Sequence, residues 1–270
     1  MISLIIDFHT HIFPDAIAGP AIQSLAERSH ATPYRGGTAA DLKASMLEGG
    51  IDKSVLLHIV TKPKQFANVH RFALAVAEDN PEFISFGSFH PDSAHWRDEI
   101  RQIARDGLKG IKLHPDYQNF YVDEERLYPM YEAIFEENLI LVFHAGLDIG
   151  YPDIHHCTPQ RVLRFLPHFE GAPIVLAHMG GYQYQEDVIR DLAGAPVYLD
   201  AAYCLNHQIP PDDFLRIVAA HGADKILFAT DSPWHSQKLD VDSLCSLPLS
   251  NEDQDAILWR NAASLLKLSL

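Results

Sequence analysis

The chain has 270 residues, 47% of them hydrophobic and 21% charged, which is enough apolar material for one large buried core and excludes intrinsic disorder. A formal net charge of −15 argues against nucleic acid and anionic membrane surfaces as main partners, since like charge repels. Three scattered cysteines, Cys157, Cys204 and Cys245, give neither a disulfide framework nor a thiolate zinc site, and no apolar run approaches the roughly 20 residues of a membrane helix. The expectation is a cytoplasmic, unprocessed protein.

The first strand-like run, 3–8, leads into Asp7-Phe8-His9-Thr10-His11. Strand side chains alternate faces, so His9 and His11 share one face and can grip a single ion. Residues 13–38 exceed what a barrel needs between its first strand and helix, and predict an extra helical segment over the mouth. Leu42 to Leu47 reads as a helix stopped by Gly49-Gly50. Further strand-like runs cover 53–60, 83–89, 108–113, 139–143, 173–177, 196–200 and 225–230, each followed by helical periodicity. Eight runs in this alternation predict an α/β fold, a single distorted TIM-like β/α barrel over 1–270, closed by a C-terminal helix that starts near Ser250.

Chemistry-bearing residues stand at the ends of these runs. His144 closes the fifth, His178 the sixth and Asp231 the eighth, the positions at which a parallel barrel gathers its active site. Imidazoles and a carboxylate together suit zinc or a similar divalent ion. Glycines follow His144 and His178, and are expected to let backbone approach a substrate. Lys112 and His114 alternate inward on the fourth run; Lys112 could pair with Asp7 or Asp231, contact substrate, or be carbamylated to bridge a second metal. His58 and His90 end other runs and either line the pocket or are satisfied locally. The remaining histidines, among them His156 and His207, read as loop or helix residues. Tyr117, Gln118, Tyr121, Asp148, Tyr151, Tyr182 and Trp234 follow strand ends and are expected to shape the pocket.

Five ordered motifs, Asp-Phe-His-Thr-His at 7–11, Gly-Ile-Lys-Leu-His-Pro at 110–115, Phe-His-Ala-Gly at 143–146, Ala-His-Met-Gly-Gly at 177–181 and Ala-Thr-Asp-Ser-Pro at 229–233, make the chain resemble the amidohydrolase superfamily, and most closely its amidohydrolase-related branch. The resemblance implies His9, His11, His144 and Asp231 as metal ligands and His178 as a catalytic or second-site histidine. TatD-like nucleases carry a glutamate where this chain has Lys112 and His114, which disfavours a nuclease.

The expected activity is hydrolysis of a small-molecule amide, lactone or ester. In it, Asp231 relays the proton of a metal-activated water and His178 stabilises the oxyanion. Zinc is the expected ion, with manganese an alternative, and Lys112, His114, Tyr117, Tyr151 and Trp234 line the substrate pocket. The alternative activity is a metal-dependent decarboxylase of an aromatic or muconate-like acid, in which Lys112, Arg35, Lys62 or Lys64 holds the carboxylate. A non-catalytic metal-binding barrel is the third reading. A small molecule is the expected partner, and a homodimer the expected assembly.

Overall fold

The computed structural model describes residues 4–206 and 208–268. Ser3, where the first strand-like run begins, and His207 lie outside the described residues. Each of the eight runs contains a strand: β1 (Ile6–Thr10), β2 (Lys53–Leu57), β3 (Phe83–Phe86), β4 (Gly110–Leu113), β5 (Ile140–Phe143), β6 (Ile174–Leu176), β7 (Tyr198–Asp200) and β8 (Ile226–Leu227). All neighbours pair in parallel, in two arcs ordered β1-β2-β3 and β4-β5-β6-β7-β8. The seams between the arcs are thin. Gly87 N donates to Gly110 O at 2.8 Å and Lys112 N to Gly87 O at 2.9 Å on one side; Phe8 N donates to Phe228 O at 2.9 Å on the other. Hydrogen bonding thus passes round all eight strands as in a β/α barrel, with its distortion concentrated at these seams.

The helices are α1 (Asp15–Ser29), α2 (Ala39–Gly49), α3 (Phe66–Asp79), α4 (Trp96–Arg105), α5 (Pro115–Gln118), α6 (Tyr128–Glu136), α7 (Pro159–Phe165), α8 (Gln185–Asp187), α9 (Pro211–His221), α10 (Gln237–Ser246), α11 (Asn251–Asp255) and α12 (Asn261–Leu265). The extra segment after β1 is α1. The stop predicted at Gly49-Gly50 holds: Gly50 takes a left-handed φ of 67° and its N–H caps Met46 O. None of these helices is long and apolar enough to cross a membrane.

Strand β5 shows how the core divides. Ile140 and Val142 pack with Phe8, Val55, Phe86, Val175 and Leu227, and with Ala262 and Ala263 of α12; Leu141 and Phe143 pack with the surrounding helices. The first set fills the barrel and the second lies between the strands and the helical ring. Lys112 alternates with Ile111 and Leu113 of the outer set, so it faces inward as predicted. The eighth run shrinks to two residues because Phe228 N turns to Ile257 O at 2.9 Å.

Strict alternation would put Asp7 beside His9, yet the two side chains go to different places. The register of β1 on β2 shifts between Asp7 and Thr10, and such an irregularity re-aims a side chain. Asp7 is fully buried and accepts from Thr230 Oγ1 at 2.6 Å, Gln237 Nε2 at 2.7 Å, Thr230 N at 3.1 Å and His9 N at 3.2 Å. It ties β1 to the segment after β8 and to α10, so it does not pair with Lys112. Replacing Thr230 by Val keeps the shape but removes a buried donor, and should lower unfolding free energy by about 1–3 kcal/mol in urea denaturation. An unchanged midpoint and slope would remove Asp7 from this structural role.

Candidate metal centre and cavity

His9 and His11 reach the top of β1 and meet Asp231 beyond β8. Asp231 has a left-handed φ of 66°, and its N–H donates to His9 O at 2.9 Å, so the backbone itself docks the carboxylate beside the two imidazoles. His9 Nε2 lies 3.1 Å from His11 Nε2, and Asp231 Oδ1 lies 3.6 Å and 3.2 Å from these two nitrogens. Their partners fix the tautomers. His11 Nδ1 contacts Leu57 O at 2.9 Å, a group that only accepts, so the hydrogen of neutral His11 is on Nδ1. His9 Nδ1 likewise donates to Asp200 Oδ2 at 2.9 Å. Two imidazole lone pairs and a carboxylate oxygen therefore converge with no hydrogen between them, the electrostatic signature of a cation site. Asp200, through His9, supplies the carboxylate–histidine support common to such sites.

Burial pushes Asp231 up, but hydrogen bonding from His11 and the positive charge of the neighbouring imidazoles when they carry a second proton outweigh that and hold its carboxyl below the usual range. Burial, reinforced by Lys112, drives His9 well below the ordinary imidazole value. Both groups thus sit in their ligand-competent forms, and the set suits a divalent ion such as zinc or manganese.

His144 falls in a neighbouring group of donors. The described residues that could hold a metal fall into two groups, His9, His11 and Asp231 in one, and His114, His144 and Asp148 in the other. His178 stands between them, its ring centroid 5.4 Å from that of His9 and 4.6 Å from that of His144. Its Nδ1 donates to Ala202 O at 2.8 Å, and its Nε2 accepts from His144 Nδ1 at 2.9 Å.

One cavity of about 860 Å³ takes in both groups, His178, and all five pocket residues predicted from sequence: Lys112, His114, Tyr117, Tyr151 and Trp234. Its outer wall is α1, through Ile17, Ala21, Leu25 and Arg28. An aromatic column runs inward from there: Arg28 lies 5.1 Å over the Tyr151 ring and hydrogen-bonds its hydroxyl, Tyr151 is 5.4 Å from Tyr117, Tyr117 stacks on His114 at 3.7 Å, and His114 stacks on His144 at 4.2 Å. Asp148, Tyr182 and His58 also line the space. Gln118 instead donates to Val60 O and Phe89 O, Tyr121 packs on His156 under Arg161, and His90 accepts from Asp92 N. Arg35 is spent on Glu48.

Lys112 Nζ is buried without a hydrogen-bond partner among the described residues. Burial lowers it to about 8, against the pull of Asp200 and Asp231. Gly146 serves loop packing rather than substrate access: a Cβ there would stand 2.2 Å from Tyr182 N, where the loops after β5 and β6 cross. Sequence reading missed Asp200 although it ends the seventh run just as Asp231 ends the eighth. It also missed Arg28, which nothing in the local sequence of α1 marks.

A model of the amidohydrolase family matches residues 6–268. No curated protein matches the chain. Among solved structures it is similar to 5-carboxyvanillate decarboxylase LigW from Sphingomonas paucimobilis, with TM-score 0.73 and 16% identity over 98% of this chain and 99% of that one. It is also similar to an uncharacterised TIM-barrel protein from Bordetella bronchiseptica, with TM-score 0.75 and 20% identity over 97% and 98%. A third is a dihydroxybenzoic acid decarboxylase from Polaromonas sp. JS666 bound to manganese and 2-nitroresorcinol, with TM-score 0.73 and 18% identity over 98% and 97%.

Burial, then the nearby His11, pushes His58 down to about 3. A histidine whose folded value is depressed gives the unfolded chain the greater proton affinity, so stability is lost as pH falls from about 6.5 toward 3, at up to about 1.4 kcal/mol per pH unit. His58→Leu should flatten that acid limb in denaturation measured across this range. An equally steep limb would show that His58 is not buried neutral.

Proposed function

The chain belongs to the amidohydrolase family, and from that premise we propose that it is a metal-dependent decarboxylase of an aromatic acid bearing a hydroxyl group next to the carboxylate. Hydrolysis, the first expectation from sequence, has support at the level of the family, whereas the solved structures named above include decarboxylases of substituted benzoic acids. The observation that carries the reading is the charge and shape of the cavity. In a protein of net charge −15, three cations line it, Arg28, Lys62 and Lys112, against two carboxylates, Asp148 and Asp231. None of the three cations forms an ion pair among the described residues, while Arg35, Arg126, Arg161, Arg164, Arg190, Arg216 and Arg260 all do. Unspent positive charge beside the aromatic faces of Tyr117, which stacks on His114, and the tilted Tyr151 suits a planar anion.

A divalent ion held by His9, His11 and Asp231 would supply a Lewis-acid contact for the carboxylate and the adjacent hydroxyl oxygen. The chain's own groups do the rest. Tyr117 and Tyr151 offer aromatic surface against which the ring packs, and Lys112 offsets the charge of the acid. Asp231, held as a carboxylate, takes the hydroxyl proton and returns it to the ring carbon that bears the carboxylate. The bond from that carbon to the carboxylate then breaks, its electron pair restores the aromatic ring, and carbon dioxide leaves.

Protein reconstituted with manganese or zinc should release carbon dioxide from ortho-hydroxybenzoic acids. Asp231→Asn should lower kcat on the order of 10²–10⁴-fold without loss of fold. Hydrolysis of esters or lactones by the same preparation, with no carbon dioxide from any of these acids, would return the hydrolase reading to first place.

A further inference from the structure

Two helices turn apolar side chains into the cavity without using them for packing. On α1, Ile17, Ala21 and Leu25 recur every fourth residue and so form one stripe. On α3, Val69 and Phe72 share a face, and Ile59 follows β2. All six line the cavity. Phe72 reaches the core, but Ile17, Ala21, Leu25, Ile59 and Val69 pack against neither the filling of the barrel nor the layer between strands and helices.

A different stripe holds α1 in place. Its buried residues are Ala18 and Ile22, and Ile22 covers Gly37 so closely that a Cβ there would stand 2.9 Å from its side chain. Ile17, by contrast, is 52% exposed, and Ala21 and Leu25 are half-buried. Single exposed apolar residues are ordinary on a protein surface, yet a set gathered in one concavity and rimmed by polar groups marks a ligand groove. Here Arg28, Lys62, Gln65 and Asn68 supply the rim.

This lining is continuous with the candidate metal centre. Phe72 meets His58 edge-on with ring centroids 5.4 Å apart, and His58 follows Leu57, whose carbonyl oxygen accepts from His11 Nδ1 at 2.9 Å. Pockets of roughly 300–1,000 Å³ enclose drug-sized ligands, and a hydroxybenzoic acid has only about ten non-hydrogen atoms, so a cavity of about 860 Å³ is larger than the bare acid fills. Apolar walls on the remaining space favour an apolar occupant, because water left against them keeps their hydration cost.

We propose that the acid carries a hydrocarbon side chain longer than methyl, seated on Ile17, Ala21, Leu25, Val69 and Phe72. The proposal rests on the reading of the site as a decarboxylase of hydroxylated aromatic acids and narrows that class to alkyl-substituted ones. The metal-facing residues handle the head of the molecule, while α1 and α3 measure its tail.

Binding and turnover are read separately, on full-length protein loaded with Mn²⁺. The binding probes are 3-alkylphenols and 4-alkylphenols with methyl, propyl or pentyl chains, the products that such acids leave behind, titrated by calorimetry. Affinity should rise on the order of 10–100-fold from methyl to pentyl in at least one series, because each buried methylene contributes up to about fourfold. Ala21→Phe fills the lining, so it should bind the methyl compound as the parent does and lose most of that rise. Val69→Asp, which sets a charge against the chain, should lose it as well. Circular dichroism confirms that each variant is folded. A parent that binds neither series, or binds methyl and pentyl compounds alike, overturns the proposal, as does a rise that both folded variants retain. Carbon dioxide release from the matching alkyl 2-hydroxybenzoic acids is the second readout. A rise with chain length but no release from any of them leaves the hydrocarbon site standing and removes the decarboxylase, whereas release without a rise keeps the decarboxylase and removes the side chain.

Discussion

The geometry of the centre depends on a buried carboxylate that never faces the cavity. Asp7 gathers four donors, two of them from Thr230 and one from Gln237, and so clamps β1 to the segment that follows β8. Burial is the largest influence on it and raises it to about 7, which measures how much solvation is given up to place a carboxyl there. The clamp sits at a barrel seam where ladder hydrogen bonding is thin. His9 and His11 lie on one side of that seam and Asp231 on the other. Without Asp7, the strands that must share an ion would be joined mainly by the Phe8, His11 and Asp231 amides.

From that clamp outward, three imidazoles beside the cavity are oriented by groups that can only accept, and a fourth follows from one of them. Leu57 O fixes His11, Asp200 fixes His9, and Ala202 O fixes His178, which in turn fixes His144. Tautomers are thereby decided before any ligand arrives, and the free lone pairs are collected in two places. Rigid, preset donors of this kind lower the reorganisation needed to take up an ion. Lys112, buried between the two collections, is the positive counterpart that a bound anion would complete.

The sequence made the architecture legible because strand periodicity is a local signal: every one of the eight runs holds a strand, and the residues closing the first, fifth, sixth and eighth runs line one cavity. The same locality explains what it hid. Alternation alone places Asp7 with His9, since the register shift that separates them is set by pairing with β2 and not by the residues themselves. Asp200 carried the strand-end signal of Asp231 and was still missed, because its partner His9 is 191 positions away. Asp116 and His156 meet across 40 residues of chain, and only the fold brings them together. Arg28 lies on a helix that the barrel pattern does not require, so its place at the rim follows from how α1 lies over the strand ends.

That last placement separates two properties of the molecule. The groups that could hold ions stand on strand ends and the loops after them, tied into the barrel's hydrogen bonding. One whole side of the cavity is built instead from α1, an insertion between the first strand and the first helix of the repeating pattern. What enters the cavity and how it is oriented can therefore diverge through changes in one contiguous stretch of about 25 residues, without disturbing the metal-facing residues or the clamp beneath them. Ligand choice in this protein is modular with respect to its chemistry, and an exchange of that stretch between related barrels is a means of redirecting the one while preserving the other.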